Sequence, residues 1–175
     1  MRDKKVLFIT QASMIAALYV VLTLLANALG LAYYAIQVRF SEALTILPFF
    51  TPAAIPGLWA GCVLSNLLTG CALLDIIFGS LATLIGAVGT YILRKCKWAA
   101  PIPPIIANTL IVPLILAYVY QFEGSIPYFM LTVGLGEVIS CGILGMILLG
   151  ILMRYQNVIF KTDSAKENGL HFFKM

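Results

Sequence analysis

Apolar residues run through this chain in long blocks that only short polar stretches interrupt. A helix needs about 20 apolar residues to cross roughly 30 Å of hydrocarbon, and blocks of that length recur along the whole chain. A cleavable signal peptide, which occurs only at the start of a chain, does not explain them. The pattern therefore predicts an all-α integral membrane protein.

Basic residues determine how often the chain crosses, because the positive-inside rule places them in the cytoplasm. Three apolar blocks separate the first two basic clusters, although two segments on one side require an even number of crossings. The middle block must therefore cross twice, and Pro48, Pro52 and Pro56 mark its break because proline interrupts helices. The clusters are Arg2, Lys4 and Lys5; Arg94, Lys95 and Lys97; and Arg154, Lys161, Lys166 and Lys174.

The resulting prediction is one domain, a bundle of six transmembrane helices with both termini cytoplasmic. The helices are expected at about residues 6-29, 35-51, 53-70, 73-93, 101-120 and 126-153, followed by a polar cytoplasmic tail at 154-175. Composition agrees with this prediction, because 62% of the 175 residues are hydrophobic and only 10% are charged. A water-soluble fold of this length could not cover so much apolar surface.

Few polar side chains occur inside these spans, and most of them are predicted to lie in the outer half of the bundle. Asn27 ends the first helix, and Arg39 and Glu42 begin the second, whereas Asn108 and Glu137 lie deeper. Polar groups within lipid face the bundle interior or a wet cavity, so these side chains are expected to converge on one solute site. The predicted substrate-binding residues are Arg39, Glu42, Asn66, Asp75, Asn108, Tyr128 and Glu137.

Each of these residues also has a structural alternative. An internal ion pair of Arg39 with Glu42 or Asp75 would explain the outer charges, and an interfacial aromatic belt would explain the tyrosines. Glu137 has no cation at its predicted depth, which makes it the best single candidate for a ligand contact. Its alternative is a protonated carboxyl group that is hydrogen-bonded to Asn108.

The chemistry of these side chains indicates a flat, donor-rich solute that is neutral or cationic. A carboxylate can accept two parallel N–H bonds from an amidine-like edge such as that of guanine, and aromatic faces can stack on the ring. No Gly-rich phosphate loop, no histidine within a span and no helical metal-binding motif occur. We therefore expect no enzymatic activity, no cofactor, no ATP hydrolysis by this chain and no nucleic-acid partner.

The four cysteines, Cys62, Cys71, Cys96 and Cys141, show no metal-ligand or redox spacing, so neither a metal site nor a disulfide is expected. Two pairs of small residues have the spacing that lets another helix approach closely: Ala12 with Ala16, and Gly57 with Gly61. For the glycine pair, packing within the bundle is the favoured interpretation. The motif alone leaves both internal packing and a partner protein open for the alanine pair.

The segment from Gln37 to Pro56, QVRFSEALTILPFFTPAAIP, and its continuation GLWAGCVLSNLLTG to Gly70 resemble the QueT family of queuosine-precursor transporters. That family belongs to the substrate-binding S-components of energy-coupling factor (ECF) transporters. The resemblance implies a six-helix S-component in the bacterial cell membrane that captures a 7-deazaguanine-type queuosine precursor from outside. It also implies docking, through Ala12 and Ala16, on a module of one transmembrane coupling protein and two ATPases.

Three alternatives to this function stay open at the level of sequence. The same fold could bind another vitamin or a nucleobase-like solute. The chain could be a stand-alone secondary carrier driven by protons through Glu137, or a structural subunit without a ligand. Uptake by the purified chain alone would distinguish a carrier from an S-component, and the absence of saturable binding would indicate a structural subunit.

Overall fold

The computed structural model describes residues 2–30 and 38–159, and the regular secondary structure in these ranges consists of helices joined by short turns and loops. No strand occurs within these ranges, so the predicted all-α class is confirmed. The main helices are α1 (Arg2–Ala28), a 3-10 helix (Phe40–Phe49), α2 (Ala54–Leu68), α3 (Leu73–Ile92), α4 (Ile102–Tyr118), α5 (Ile126–Glu137), a π-helical segment (Val138–Leu144) and α6 (Gly145–Ile159).

Within the described ranges, four helical spans are long and apolar enough to cross a membrane: Lys4–Ala28, Leu73–Ile92, Lys97–Tyr118 and Ile126–Gln156. The 3-10 helix and α2 are apolar but shorter, with 10 and 15 residues. This pattern is that of a multi-pass membrane protein. That the chain crosses the membrane six times, and that both of its termini are cytoplasmic, are still predictions.

The second predicted helix differs most from expectation. It was expected at about residues 35-51, but it is a 3-10 helix of ten residues, and residues 35–37 lie outside the described part of the chain. A 3-10 helix rises about 2.0 Å per residue, so ten residues extend only about 20 Å. The element is therefore too short to cross about 30 Å of hydrocarbon by itself. After it, the chain turns at Pro52 and re-enters a helix at Ala54.

The 3-10 helix lies at the centre of the molecule. All residues from Ser41 to Pro48 are buried, and the helix packs against α1, α2, α3, α6 and the π-helical segment. Leu44 and Leu47 join a hydrophobic cluster with Tyr19 of α1 and Leu58 of α2. Because no face of this helix reaches the surface, its polar side chains are held inside the bundle.

Close packing of α1 on α2 involves both pairs of small residues. A Cβ atom added to Gly57 would lie 2.6 Å from the carbonyl oxygen of Ala12, and one added to Gly61 would lie 3.0 Å from that of Ala16. The predicted internal packing of the glycine pair is therefore confirmed. The alanine pair forms the other side of this contact, and Ala16 is only 9% exposed.

The last helix extends beyond its predicted end. The boundary expected near residue 153 falls inside α6, which continues to Ile159. Hydrophobicity marks where a chain leaves the membrane, whereas a helix can continue into water with polar residues. Residues 160–175, which form most of the predicted cytoplasmic tail, lie outside the described residues.

Candidate functional site

A cavity of about 260 Å³ lies near one end of the bundle, between α1, the 3-10 helix, α2, α3 and α4. That end contains the C-terminal ends of α1, α2 and α4 and the first turn of α3. It is opposite the end of α3 that leads to the basic residues Arg94 and Lys95, so it corresponds to the predicted outer side. The polar side chains that line the cavity include Asn27, Arg39, Ser41, Asn66, Asp75 and Tyr120.

Asp75 is the carboxylate of this cavity. It lies in the first turn of α3 and is only 7% exposed. The Tyr120 hydroxyl donates a hydrogen bond to its Oδ2 atom at 2.8 Å, and the same hydroxyl accepts from the backbone N–H of Ala72 at 3.2 Å. Oδ1 accepts no side-chain hydrogen bond from the described residues. Asp75 is thus fixed through one oxygen and offers the other to a ligand.

Tyr120 lies beyond the end of α4, and its ring stacks on Phe122 with 5.7 Å between the ring centroids. Partial burial raises the pKa of its phenol, and the neighbouring Asp75 carboxylate raises it further. The phenol therefore stays protonated at neutral pH and can keep donating to Asp75.

Asn66 of α2 converges with Asp75 above Gly79. A Cβ atom added to Gly79 would lie 3.2 Å from Asp75 Oδ1 and 3.4 Å from Asn66 Nδ2, so the missing side chain leaves room for both groups. The only side-chain hydrogen bond of Asn66 among the described residues is a long one, 3.7 Å from Nδ2 to Cys62 Sγ. Its carboxamide is therefore available to a ligand as both donor and acceptor.

Arg39 supplies the positive charge of the cavity. It directly precedes the 3-10 helix, and its backbone N–H donates to Ser140 Oγ at 3.1 Å. The guanidinium interacts electrostatically with the carboxylates of Asp75, Glu42 and Glu137. Within the described part of the chain it forms no contact ion pair with any of them. The Arg39 guanidinium thus interacts with three carboxyl groups over distances longer than a contact ion pair.

A second group of polar residues lies deeper, beneath the cavity. Glu42 is 1% exposed and accepts hydrogen bonds on both oxygens, from Tyr19 Oη on Oε1 and from Asn108 Nδ2 at 3.4 Å on Oε2. Glu137 accepts a hydrogen bond on Oε2 from Cys141 Sγ at 3.1 Å. We call these five residues the inner carboxylate cluster. Tyr19 connects it to the cavity, because its side chain belongs to both.

Oxygen and sulfur atoms of Glu42, Glu137 and Cys141 lie within 4.8 Å of one another, as the ligands of a metal ion would. These atoms already take part in hydrogen bonds with Tyr19, with Asn108 and with each other. Protein contacts therefore account for this arrangement, and the predicted absence of a metal site stays a prediction.

Two irregular helices meet at the inner carboxylate cluster. The π-helical segment begins directly after Glu137 and packs against the 3-10 helix. Its Cys141 reaches the backbone carbonyl of Glu42 at 3.4 Å, and its Ser140 accepts from the N–H of Arg39. Single π-helical turns inside α-helices frequently mark functional sites.

The structure separates the predicted site residues into three groups. Arg39, Asn66 and Asp75 line the cavity, as does Asn27. Glu42, Asn108 and Glu137 lie together in the inner carboxylate cluster and are not part of the cavity wall. Tyr128 is 50% exposed, and its ring contacts that of Phe129 instead of the cavity, as the aromatic-belt alternative describes.

Two details of the sequence interpretation need correction. Glu42 was placed at the level of Arg39, but it does not line the cavity that Arg39 lines, and its Oε2 atom accepts a hydrogen bond from Asn108 in the middle of α4. The 3-10 helix carries the chain inward by about 2.0 Å per residue, more than the roughly 1.5 Å of an α-helix. Glu137 was expected to have no cation at its own depth; it forms no contact ion pair within the described ranges, although Arg39 is close enough to act on it electrostatically. Counting residues along the sequence does not reveal how close Arg39 lies to Glu137, because one residue precedes the 3-10 helix and the other ends α5.

Sequence reasoning missed several polar residues of the cavity wall, among them Tyr19, Ser41 and Tyr120. The hydroxyl of a tyrosine within an apolar span needs a hydrogen-bond partner, so the sequence alone could have marked Tyr19 as a member of the polar site. Tyr120 is the last residue of the predicted span 101-120, where an interfacial aromatic belt explains a tyrosine without a ligand. Ser41 carried no signal, since a serine in a helix usually bonds to the backbone.

Comparisons with known proteins give one family. The family model described as QueT transporter matches residues 9–154. The queuosine precursor transporter QueT of Lactococcus lactis subsp. cremoris (strain MG1363) is 36% identical over 85 residues, which are 49% of this chain and 50% of that protein. The match thus spans about half the length of this curated relative. No solved structure matches the chain.

Proposed function

Since the chain belongs to the QueT transporter family, we propose that it binds a queuosine precursor, a base of the 7-deazaguanine type, in the cavity lined by Arg39, Asn66 and Asp75. Family membership confirms the resemblance predicted from the sequence. The family is one of transporters, which supports transport and not catalysis as the proposed activity of this chain.

The observation that supports this ligand is the pairing of a fixed carboxylate with a separate cation in one cavity. A guanine-type edge presents adjacent N–H donors beside a carbonyl acceptor. Asp75 Oδ1 and the Asn66 carboxamide oxygen suit the donors, and the Arg39 guanidinium suits the carbonyl. A solute with only donors or only acceptors would leave one side of this site unpaired.

The size and the apolar part of the cavity suit a small flat ring. Its volume of about 260 Å³ is near the lower end of small-molecule pockets, which begin at about 300 Å³. Val112, Ile115 and Leu116 of α4 form an apolar wall, and Phe122 contributes an aromatic ring. Larger vitamins would need a wider cavity than this one.

We propose further that the chain is an S-component that delivers its solute through an ECF module of one coupling protein and two ATPases. The family resemblance supports this proposal, as does the lack of an ATP-binding motif in the sequence. Docking through Ala12 and Ala16 would have to use the edge of the contact between α1 and α2. The exposed residues Ser13, Met14 and Ala17 border that edge.

Thermal unfolding of the detergent-solubilised protein tests the ligand class. We expect 7-deazaguanine to raise the melting temperature, whereas thiamine, biotin and riboflavin should not. A ligand at about 100 times its dissociation constant adds about 2.7 kcal/mol to stability, which is readily detected. Stabilisation by one of the vitamins and not by 7-deazaguanine would replace the proposed solute, and no stabilisation by any would contradict a binding role.

Uptake into proteoliposomes tests the mode of transport. We expect no accumulation of 7-deazaguanine by the purified chain alone, and ATP-dependent accumulation when the ECF module is reconstituted with it. Accumulation by the chain alone in a proton gradient would instead identify a secondary carrier.

A further inference from the structure

Ser41 has a buried hydroxyl group that the protein leaves without a partner. Its side chain is 0% exposed, and its Oγ atom has no hydrogen-bond partner among the described residues. Burying a hydroxyl without a hydrogen bond destabilises a folded protein, so each such group in a native structure needs an explanation.

Two other buried hydroxyls in this bundle donate to a backbone carbonyl three residues earlier in their own helix. Thr45 donates to the carbonyl of Glu42 at 2.6 Å, and Ser65 donates to that of Cys62 at 3.0 Å. Ser41 is the second residue of the 3-10 helix, so the residues three and four positions earlier precede the helix. The Ser41 hydroxyl therefore lacks the helical carbonyl three or four residues earlier that usually accepts from a buried serine.

A ligand in the cavity would supply the partner that the Ser41 hydroxyl lacks in the described part of the chain. Ser41 lines the same cavity as Arg39, two residues earlier in the chain. We infer that the Ser41 hydroxyl binds the solute by donating a hydrogen bond to the ring carbonyl of the base, beside the Arg39 guanidinium. This inference rests on the proposed function, and it makes Ser41 a residue that selects bases with a carbonyl at that edge.

Thr109 provides a matched control. Its hydroxyl is the other buried side-chain group without a partner among the described residues. Thr109 lies on α4, where its hydroxyl faces Gly134 of α5, and it does not line the cavity. Thr109→Val removes an unpaired hydroxyl without removing a cavity residue, whereas Ser41→Ala removes one from the cavity wall.

Calorimetric titration of the full-length protein with two probes tests the inference. The probes are 7-deazaguanine and 7-deaza-2,6-diaminopurine, in which an amino group replaces the carbonyl. We expect Ser41→Ala to bind 7-deazaguanine about two- to tenfold more weakly, as loss of one hydrogen bond predicts, and to bind the diamino probe as the wild type does. Thr109→Val should bind both probes as the wild type does, and neither variant should melt at a lower temperature without ligand.

The outcomes separate this inference from the proposed function. Unchanged binding of 7-deazaguanine by Ser41→Ala would overturn the inference, and so would an equal loss for both probes or an equal loss in Thr109→Val. If Ser41→Ala does not fold, Ser41→Cys replaces it, and the weaker S–H donor should give a smaller loss for 7-deazaguanine alone. Absence of binding by the wild type would overturn the proposed function and this inference with it.

Discussion

Asp75 is the residue on which the proposed recognition of the base depends most. Asp75→Asn keeps the shape of the side chain and an oxygen for the Tyr120 hydroxyl, but it removes the negative charge. A hydrogen bond to a charged group contributes about 1.5 to 3 kcal/mol, so we expect binding of 7-deazaguanine to weaken by about one to two orders of magnitude. Calorimetric titration measures this loss.

Glu123→Gln is the control for Asp75→Asn. Glu123 lies between α4 and α5 at the same end of the molecule, is exposed and does not line the cavity. Its replacement removes one negative charge from that end, and binding should not change. Equal affinities of Asp75→Asn and the wild type would remove Asp75 from the proposed site.

Glu137 tests whether the ligand reaches the inner carboxylate cluster. Because Glu137 does not line the cavity and already accepts a hydrogen bond from Cys141, we expect Glu137→Gln to weaken binding less than Asp75→Asn does. The same titration compares the two variants. A loss of one to two orders of magnitude in Glu137→Gln would instead support the direct ligand contact predicted from its depth in the sequence.

At the scale of elements, the contact between α1 and α2 makes a prediction about stability. A Cβ atom on Gly61 would lie 2.7 Å from the Cβ of Tyr19 and 3.0 Å from a backbone oxygen of α1. Gly61→Ala must therefore push the two helices apart, and we expect it to lower stability by about 1 to 3 kcal/mol. Thermal unfolding in detergent measures the change.

Gly150→Ala is the matched substitution in α6. A Cβ atom there would meet nothing within 4 Å. The gain in helix propensity should raise stability by about 0.5 to 1 kcal/mol. Equal effects of the two substitutions would contradict the close packing of α1 on α2.

The 3-10 helix shows which part of this fold the sequence could predict. Pro48, Pro52 and Pro56 revealed that the chain breaks here, because proline constrains the backbone whatever surrounds it. The helix type was not predictable, since periodicity distinguishes helices only when one face is polar and another apolar. All residues from Ser41 to Pro48 are buried, so the pattern contains no such contrast.

The candidate site was predictable only in part for the same reason. Arg39, Asn66 and Asp75 were found because charged and amide side chains are rare within apolar spans. Their separation from Glu42 and Glu137 depends on the rise of the 3-10 helix and on how the π-helical segment that follows Glu137 packs against it. Those are properties of tertiary structure, and counting residues from the end of a span does not reveal them.

At the scale of the whole molecule, the predicted six-span topology would place the cavity outside and residues 160–175 inside. In intact cells with Cys71 and Cys96 replaced, a cysteine at Glu123 should react with a membrane-impermeant thiol reagent. A cysteine at Lys166 should react only with a permeant one. Labelling of Lys166→Cys by the impermeant reagent would contradict the topology.

Binding of a deazapurine by the isolated wild-type protein tests the central claim most directly. Calorimetric titration with 7-deazaguanine and 7-deazaadenine compares two bases that differ at the edge that Arg39, Asn66 and Asp75 are proposed to read. We predict saturable binding of one 7-deazaguanine per chain and much weaker binding of 7-deazaadenine, whose 6-amino group cannot accept from Arg39 and which lacks the N1–H and 2-amino donors proposed to bind Asp75. Equal affinity for both bases, or no saturable binding of 7-deazaguanine, would contradict the claim.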